Sequence, residues 1–400
     1  MPWLLMAQHP EAAAADEPTA EAMAACLRAM APQAESAGLS RANFLRLIEG
    51  LEPDPEVLRK LDYQPEFVTP VWEYLELLVN DKRIANGQAM LAKYRDLLAS
   101  LEATYGVAPE QIIAIWGVES SYGERAGQNS LMTALGSLSC FGRRQSFFRR
   151  ELMATLQIVD AGHIAPGRLV GSWAGAFGHT QFMPSTFLRL AVDQDGDGRR
   201  DLIGSVPDAL GSTANYLQQS GWQRGQPWGF EIRLPDGVVA DSDTRRVRKP
   251  LSQWLALGVQ ALGSSDQRRL MAMDDTTPAA LIRPADTGGP AFIVFANYDA
   301  VFAYNPSVKY ALAINHLADR IAGGGPFVTP WPTEFKGLTR TEREAVQQLL
   351  LARGHDIGAV DGILGSRSRE AIKLEQQRLG QPVNGRADKP FLEALRAGPR

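Results

Sequence analysis

Pro109-Glu-Gln-Ile-Ile-Ala-Ile-Trp-Gly-Val-Glu-Ser-Ser-Tyr-Gly123 is the stretch whose reading decides the fold. Proline suits a first helical position, because the N–H it lacks would have no helical partner there. Ile112, Ile115 and Trp116 recur at helical spacing and predict an amphipathic helix. Glu119 follows them by seven, four and three residues, which puts its carboxyl on the apolar stripe. Gly123 is expected to end the helix in a left-handed conformation. A carboxyl set against Ile and Trp loses hydration, and its protonated form is favoured. Glycoside chemistry needs such a group as general acid. The plain alternative is a structural carboxylate at the end of a core helix, paired with an arginine.

Three further blocks accompany this one. They are Gly171-Ser-Trp-Ala-Gly-Ala-Phe-Gly-His-Thr-Gln-Phe-Met-Pro-Ser185, Ala214-Asn-Tyr216 and Tyr304-Asn-Pro-Ser-Val-Lys-Tyr310. With Trp116–Gly123, and in this order, they resemble the lytic murein transglycosylases of the membrane-bound transglycosylase B type, across residues 20–320. The resemblance implies a mainly α, lysozyme-like catalytic core with extra N-terminal helices. It implies cleavage of the β-1,4 bond between N-acetylmuramic acid and N-acetylglucosamine in peptidoglycan. Glu119 would protonate the leaving oxygen, then take the proton of the muramoyl 6-hydroxyl as that oxygen closes a 1,6-anhydro ring. No second carboxylate acts as nucleophile in the family, and catalysis needs no cofactor. The same motifs place Gln181 in the sugar groove and Ser172 within reach of the catalytic carboxyl. They place Tyr216, Tyr304 and Tyr310 at the groove walls, where aromatic faces stack on sugars, and give Asn305 a substrate contact. Arg143 and Arg144 would suit a lactyl or peptide carboxylate, and a solvated basic face is the equal alternative. Two other functions stay open: a muramidase that adds water to the same bond, and a non-catalytic wall-binding protein.

Asp193-Gln-Asp195-Gly-Asp197-Gly-Arg199-Arg-Asp201 carries oxygens at positions 1, 3, 5 and 9, glycine at 6, and the Arg199 carbonyl at 7. That is the spacing of a calcium loop. Position 12 is Gly204 rather than glutamate, so Asp208 is the candidate for the last ligand, as the family's longer loops imply. The ion would be structural. An acidic surface turn without metal is the alternative.

Composition limits the remaining classes. A chain of 400 residues with 45% hydrophobic and 22% charged content is a globular protein of more than one domain. No apolar run is long enough to span a bilayer. The net charge is −4, but residues 336–400 hold 12 Lys/Arg against 8 Asp/Glu, so a +4 tail follows a −8 body. Such a tail fits docking on an anionic wall polymer and is too weak to indicate nucleic acid. The five histidines show no metal spacing and no nucleophile partner, and for His163 and His179 a satisfied structural group is an equal alternative to a functional one. Cys26 and Cys140 permit one disulfide or two buried thiols. The start, Met1-Pro-Trp-Leu-Leu-Met-Ala7, does not show a signal peptide. The resemblance nonetheless implies a soluble periplasmic protein acting on glycan strands, with cell-wall synthesis or division proteins as candidate partners.

The expected organisation is a catalytic span over residues 1–322, a linker over 323–335 and a wall-binding domain over 336–400. Helices are expected over Glu21–Ala31, Arg41–Leu51 and Gly87–Tyr105. A small β-containing insertion covers about 221–290, where Trp228–Leu234 alternates and Pro235-Asp-Gly237 turns. Helix is expected to resume over 291–322. Gly323–Pro332 is a linker by composition, pliable at its glycines. A new unit begins at Gly337, where Thr339-Arg-Thr-Glu342 forms a capping box. Val360-Asp-Gly362 and Val383-Asn-Gly385 lie 23 residues apart and mark a half-repeat. The run Asp361–Ile372 resembles the three-helix peptidoglycan-binding domain of wall enzymes.

Overall fold

A computed structural model describes residues 18–61, 69–238, 240, 244–285, 288–333, 338–362 and 364–398. The N-terminal residues read for a leader and the expected tail start at Gly337 lie outside the described residues. The chain divides into two compact units whose boundaries cut across the expected 1–322 span. The first takes Met1–Tyr63, Gly127–Phe177 and Gln181–Arg189, and the second takes Gln64–Ala126, Gly178–Thr180 and Leu190–Arg400.

The first unit is helical. The helix expected to reach Ala31 stops at Arg28, and another runs Ala31–Ser36. Pro32 accounts for the break, because in a continuous helix its ring would collide with the Arg28 carbonyl. The next helix ends at Ile48 rather than Leu51, with Gly50 left-handed behind it. Leu131–Phe141 and Gln145–Asp160 pack as a pair. Cys26 and Cys140 are joined in a disulfide, with their Cα atoms 5.9 Å apart, tying Ala20–Arg28 to Leu131–Phe141.

The second unit is built on Pro109–Ser120. This helix was expected to be amphipathic, but Gln111 to Gly117 are all buried. A helix apolar all round lies inside a core, and this one packs against Val308–Ile321 and Asp81–Lys93. The expected Gly87–Tyr105 helix is two helices, Asp81–Lys93 and Arg95–Tyr105, broken at Tyr94. The break carries the Tyr94 ring to the edge of Trp116, centroids 5.5 Å apart.

The β region is a five-stranded antiparallel sheet in the order Lys249–Pro250, Pro278–Ile282, Ala291–Val294, Gly229–Arg233, Gln260–Ala261. Helix was expected from 291, yet Ala291–Val294 is the central strand. All four of its residues are buried, and a strand buried on both faces shows no alternation in sequence. Asp299 anchors the following helix to this region, accepting from Arg245 Nη1 at 2.7 Å and from Arg248.

The composition-based linker is not a free tether over its first half. Glu231 accepts from the Val328 and Thr329 amides, both at 2.7 Å. Phe327 stacks on His316 at 3.8 Å and meets Phe292 edge-on at 4.8 Å. Aromatic side chains in a Gly/Pro-rich segment bury enough area to strap it down.

Residues 338–398 have their own core, including Val346, Leu350, Ile372, Phe391 and Leu395. The capping box at Thr339 and Glu342 is present. The half-repeat rests on two glutamines. Gln347 Oε1 accepts from the Asp361 and Gly362 amides, and Gln376 Oε1 accepts from those of Asn384 and Gly385. Each glutamine thus fastens an Asx-Gly turn to a helix.

Candidate active site and acidic loop

The Pro109–Ser120 helix ends one residue after Glu119. Ser121, rather than Gly123, is the first left-handed residue, and Ser121, Tyr122 and Gly123 follow with φ of 52°, 62° and 92°. Ser121 N–H donates to the Gly117 carbonyl and Tyr122 N–H to that of Trp116, which satisfies two helix-end carbonyls. Among the described residues only Ser121, Tyr122, Arg144 and Gln181 are non-glycines with positive φ. Such residues cost roughly 1–3 kcal/mol each and persist where surrounding contacts over-determine them.

Tyr122 supplies one such set of contacts. Its hydroxyl donates to the Arg83 carbonyl at 2.8 Å. A Cβ on Gly117 would lie 2.6 Å from the Tyr122 ring, and one on Gly87 2.8 Å from its hydroxyl. Burial pushes the phenol well above its ordinary range.

Glu119 is half-buried. The Tyr310 hydroxyl donates to Glu119 Oε1 at 2.5 Å and fixes the orientation of the carboxyl. Tyr304 donates to the Thr180 carbonyl at 2.6 Å, and Tyr216 to that of Ala303 at 2.6 Å. The Tyr216 and Tyr304 rings sit 4.7 Å apart. Burial, then the charge of Glu119, raises both Tyr304 and Tyr310 well above the ordinary phenol range, so both remain donors. Asn305 is exposed at the end of the Ala296–Tyr304 helix. Four sequence-predicted residues thus come together in this unit: Glu119, Tyr216, Tyr304 and Tyr310.

The remaining candidates for substrate contact belong to the first unit. Ser172 closes a turn, its Oγ accepting from the Ala176 amide at 3.0 Å. Gln181 has φ of 51° and precedes Phe182, which exchanges two backbone hydrogen bonds with Phe177. Arg143 donates to the Leu61 carbonyl at 2.5 Å, while Arg144 lies over the Phe147 ring at 4.6 Å.

Sequence reasoning did not pair Trp116 with His179. Trp116 Nε1 donates to His179 Nδ1 at 3.1 Å. Burial holds this imidazole below the ordinary histidine range, against the opposing pull of Asp201. The available signal was their place inside the two strongest blocks.

In the acidic loop, the carboxylates of Asp193, Asp195 and Asp197 gather within 4.8 Å of one another and are exposed. Three hard oxygens at that spacing could hold a metal ion. Asp201 Oδ1 accepts from the Ile203 and Gly204 amides. Asp208 is buried outside that cluster, and its carboxylate accepts from the amides of Gln194, Asp195 and Asp201. It shapes the loop from beneath. Burial raises its pKa in spite of those three hydrogen bonds.

Comparison with known proteins gives the family. The family described as Transglycosylase SLT domain matches residues 22–319, and a peptidoglycan binding domain family matches residues 339–395. Membrane-bound lytic murein transglycosylase B of Escherichia coli (strain K12) is 31% identical over 303 residues, covering 71% of this chain and 79% of that protein. The crystal structure of SltB3 from Pseudomonas aeruginosa in complex with NAG-anhNAM-pentapeptide is 43% identical. It superposes with a TM-score of 0.84 and covers 94% of this chain and 99% of that one. The Escherichia coli lytic transglycosylase Slt35, solved in complex with calcium, is 28% identical with a TM-score of 0.63, covering 75% and 92% of the two chains.

Proposed function

The chain belongs to the transglycosylase SLT-domain family and is a lytic transglycosylase of peptidoglycan, and from that premise we propose that Glu119 is both its acid and its base. The enzyme cleaves the β-1,4 bond between N-acetylmuramic acid and N-acetylglucosamine and leaves 1,6-anhydro ends. Glu119 gives its proton to the glycosidic oxygen as the bond to the anomeric carbon breaks. The resulting carboxylate takes the proton of the muramoyl 6-hydroxyl, whose oxygen bonds to that carbon. The acid is thereby regenerated and no water is consumed. A carboxyl serving both halves works best with a pKa near working pH.

The observation that carries the assignment is the Tyr310 hydroxyl held on Glu119 Oε1 at the end of a buried helix. Tyr304 and Tyr216 supply aromatic surface for the sugar. Ser172, Gln181 and Asn305 keep their family assignments as substrate contacts, and Arg143 and Arg144 meet a peptide or lactyl carboxylate. Mass spectrometry of a sacculus digest tests the chemistry. Anhydro-ended muropeptides are expected, and reducing ends would make the enzyme a muramidase.

Calcium is the proposed occupant of the acidic loop, held by Asp193, Asp195, Asp197, the Arg199 carbonyl and Asp201, with a structural role. Starting from metal-free protein, calcium at a hundredfold excess over Kd should stabilise by about 2.7 kcal/mol. Asp195→Ala should cancel that shift. Asp195 also accepts from Ser205, the cap of the next helix, so the calcium-induced change in Tm is the quantity to compare. Coincident melting curves with calcium and with chelator would remove the site.

The domain assignment follows the separate tail core. Residues 336–400 are the wall-binding domain, beyond a catalytic span and the strap. Deleting residues 333–400 leaves that strap in place. It should weaken binding to intact sacculi while cleavage of a short soluble glycan stays within about twofold, because a second binding module raises local concentration without touching the chemistry. Loss of activity on the soluble substrate would place the tail inside the catalytic domain. The periplasm is the proposed location. Its substrate lies there, the disulfide suits an oxidising compartment, and no helix among the described residues is long and apolar enough to cross a membrane. Wall-synthesis or division proteins are the partner class that this location offers.

A further inference from the structure

We infer that His179 is a positioning residue for the Glu119 carboxyl, acting through the turn that ends the catalytic helix. The inference rests on Glu119 being the acid and base. That turn holds three successive left-handed residues, two of them not glycine. A conformation of this kind stays only where neighbours enforce it.

His179 touches the helix end at three places. Its Nδ1 accepts from Trp116 Nε1 at 3.1 Å, and the rings meet edge to face with centroids 5.6 Å apart. Its carbonyl accepts from Ser120 Oγ at 2.6 Å, and Ser120 Oγ in turn accepts from the Gly123 amide at 2.9 Å. Its imidazole also fills the space over Gly123, where a Cβ would lie 2.4 Å from Cε1. Glu119 thus sits between two residues, Trp116 and Ser120, that are each tied to His179.

The other side of His179 is fixed as well. Its amide donates to the Leu202 carbonyl at 2.8 Å. A Cβ on Gly178 would lie 2.5 Å from that Leu202 oxygen, so the backbones meet too closely for a side chain. Thr180 is fully buried, and its carbonyl accepts from Tyr304. One three-residue segment therefore contacts both the turn behind Glu119 and a phenol of the same site. An indole N–H can only donate, so the bond from Trp116 requires an unprotonated Nδ1 and puts the ring proton on Nε2. His179 acts here as an acceptor of fixed direction, with no proton to transfer at Nδ1.

Two substitutions separate this role from mere packing. His179→Leu removes the acceptor, whereas His179→Asn places an amide oxygen where Nδ1 was. On a soluble muropeptide oligomer, His179→Leu is expected to lower kcat about 10- to 100-fold with KM changed less than about twofold, since misplacement near 1 Å costs that much. His179→Asn should recover most of the loss. Trp116→Phe removes the donor, and adding it to His179→Leu should cost little more, because the two act on one bond. If His179→Leu does not fold, Trp116→Phe and His179→Asn carry the comparison, with an expected loss of kcat in the first and near wild-type kcat in the second. A folded His179→Leu with wild-type kcat overturns the inference, as does a loss expressed in KM or an Asn variant no better than Leu. Glu119→Gln, run beside them, keeps the two readings apart. If it stays active the catalytic assignment fails, and if it is inactive while His179→Leu is fully active only the positioning role fails.

Discussion

Glu119→Gln should abolish release of anhydro-muropeptides from sacculi while the protein keeps its fold. General acid–base groups contribute roughly 10²–10⁴-fold to rate. The upper end is expected here, because a single carboxyl performs both proton transfers and the substitution removes the two together. The fold should survive for a local reason. The Tyr310 hydroxyl donates to Glu119 Oε1, and the glutamine carbonyl oxygen can accept that same bond. Tyr310 remains a donor, because burial and then the neighbouring carboxylate hold its pKa well above the ordinary phenol range. Losing the Glu119 charge leaves the burial effect intact, so the phenol still stays protonated in the variant. Circular dichroism and Tm should match wild type while muropeptide release falls to the limit of detection. Release within a factor of two of wild type would remove Glu119 from the mechanism, whatever the family resemblance.

Glu119, Tyr304 and Tyr310 could be singled out because short motifs fix residue types at local spacing, and the structure joins two of them by the bond from Tyr310 to Glu119. The Thr339–Glu342 capping box was legible for the same reason, since its two partners are three residues apart. What sequence could not supply was set by distant partners. The Pro109–Ser120 helix was read as having one apolar face, but Val308–Ile321 covers it from a segment about 200 residues further on. Ala291–Val294 reads as a plain apolar run, and only its pairing with Gly229–Arg233 and Pro278–Ile282 makes it a strand. Composition made 323–335 a linker, while Glu231 and His316 hold its first half in place. The left-handed Ser121 is the clearest case. Gly123 was the residue that chain chemistry preferred for the helix end. The fit of Tyr122 between Gly87 and Gly117 moves the turn two residues earlier. The hydrogen bonds of Asp208 were hidden for the same reason, because its three amide partners lie up to fourteen residues upstream.

Replacing both Cys26 and Cys140 by serine should remove roughly 4–5 kcal/mol of stability from the first unit, the chain-entropy value for a cross-link closing a loop of about 100 residues. The separation is 114 residues, so the bond restricts the unfolded chain strongly. The folded side of the argument is local. The Ala20–Arg28 helix buries Met23 and Leu27, and Met23 packs where Gly136 leaves room, since a Cβ there would lie 2.5 Å from its methyl group. Two buried residues on a nine-residue helix are a small anchor against fraying, because isolated helices of that length are marginal in water. The disulfide fastens this helix to Leu131–Phe141. The sensitive measurement is amide hydrogen exchange in those two helices, in the serine variant and in reduced wild type. A loss of 4–5 kcal/mol corresponds to protection falling about 10³-fold, at roughly 1.4 kcal/mol per tenfold. The double variant, free of thiol chemistry, and the reduced protein should agree. Exchange unchanged in both would mean that packing around Met23 and Gly136 holds the helix without the bond.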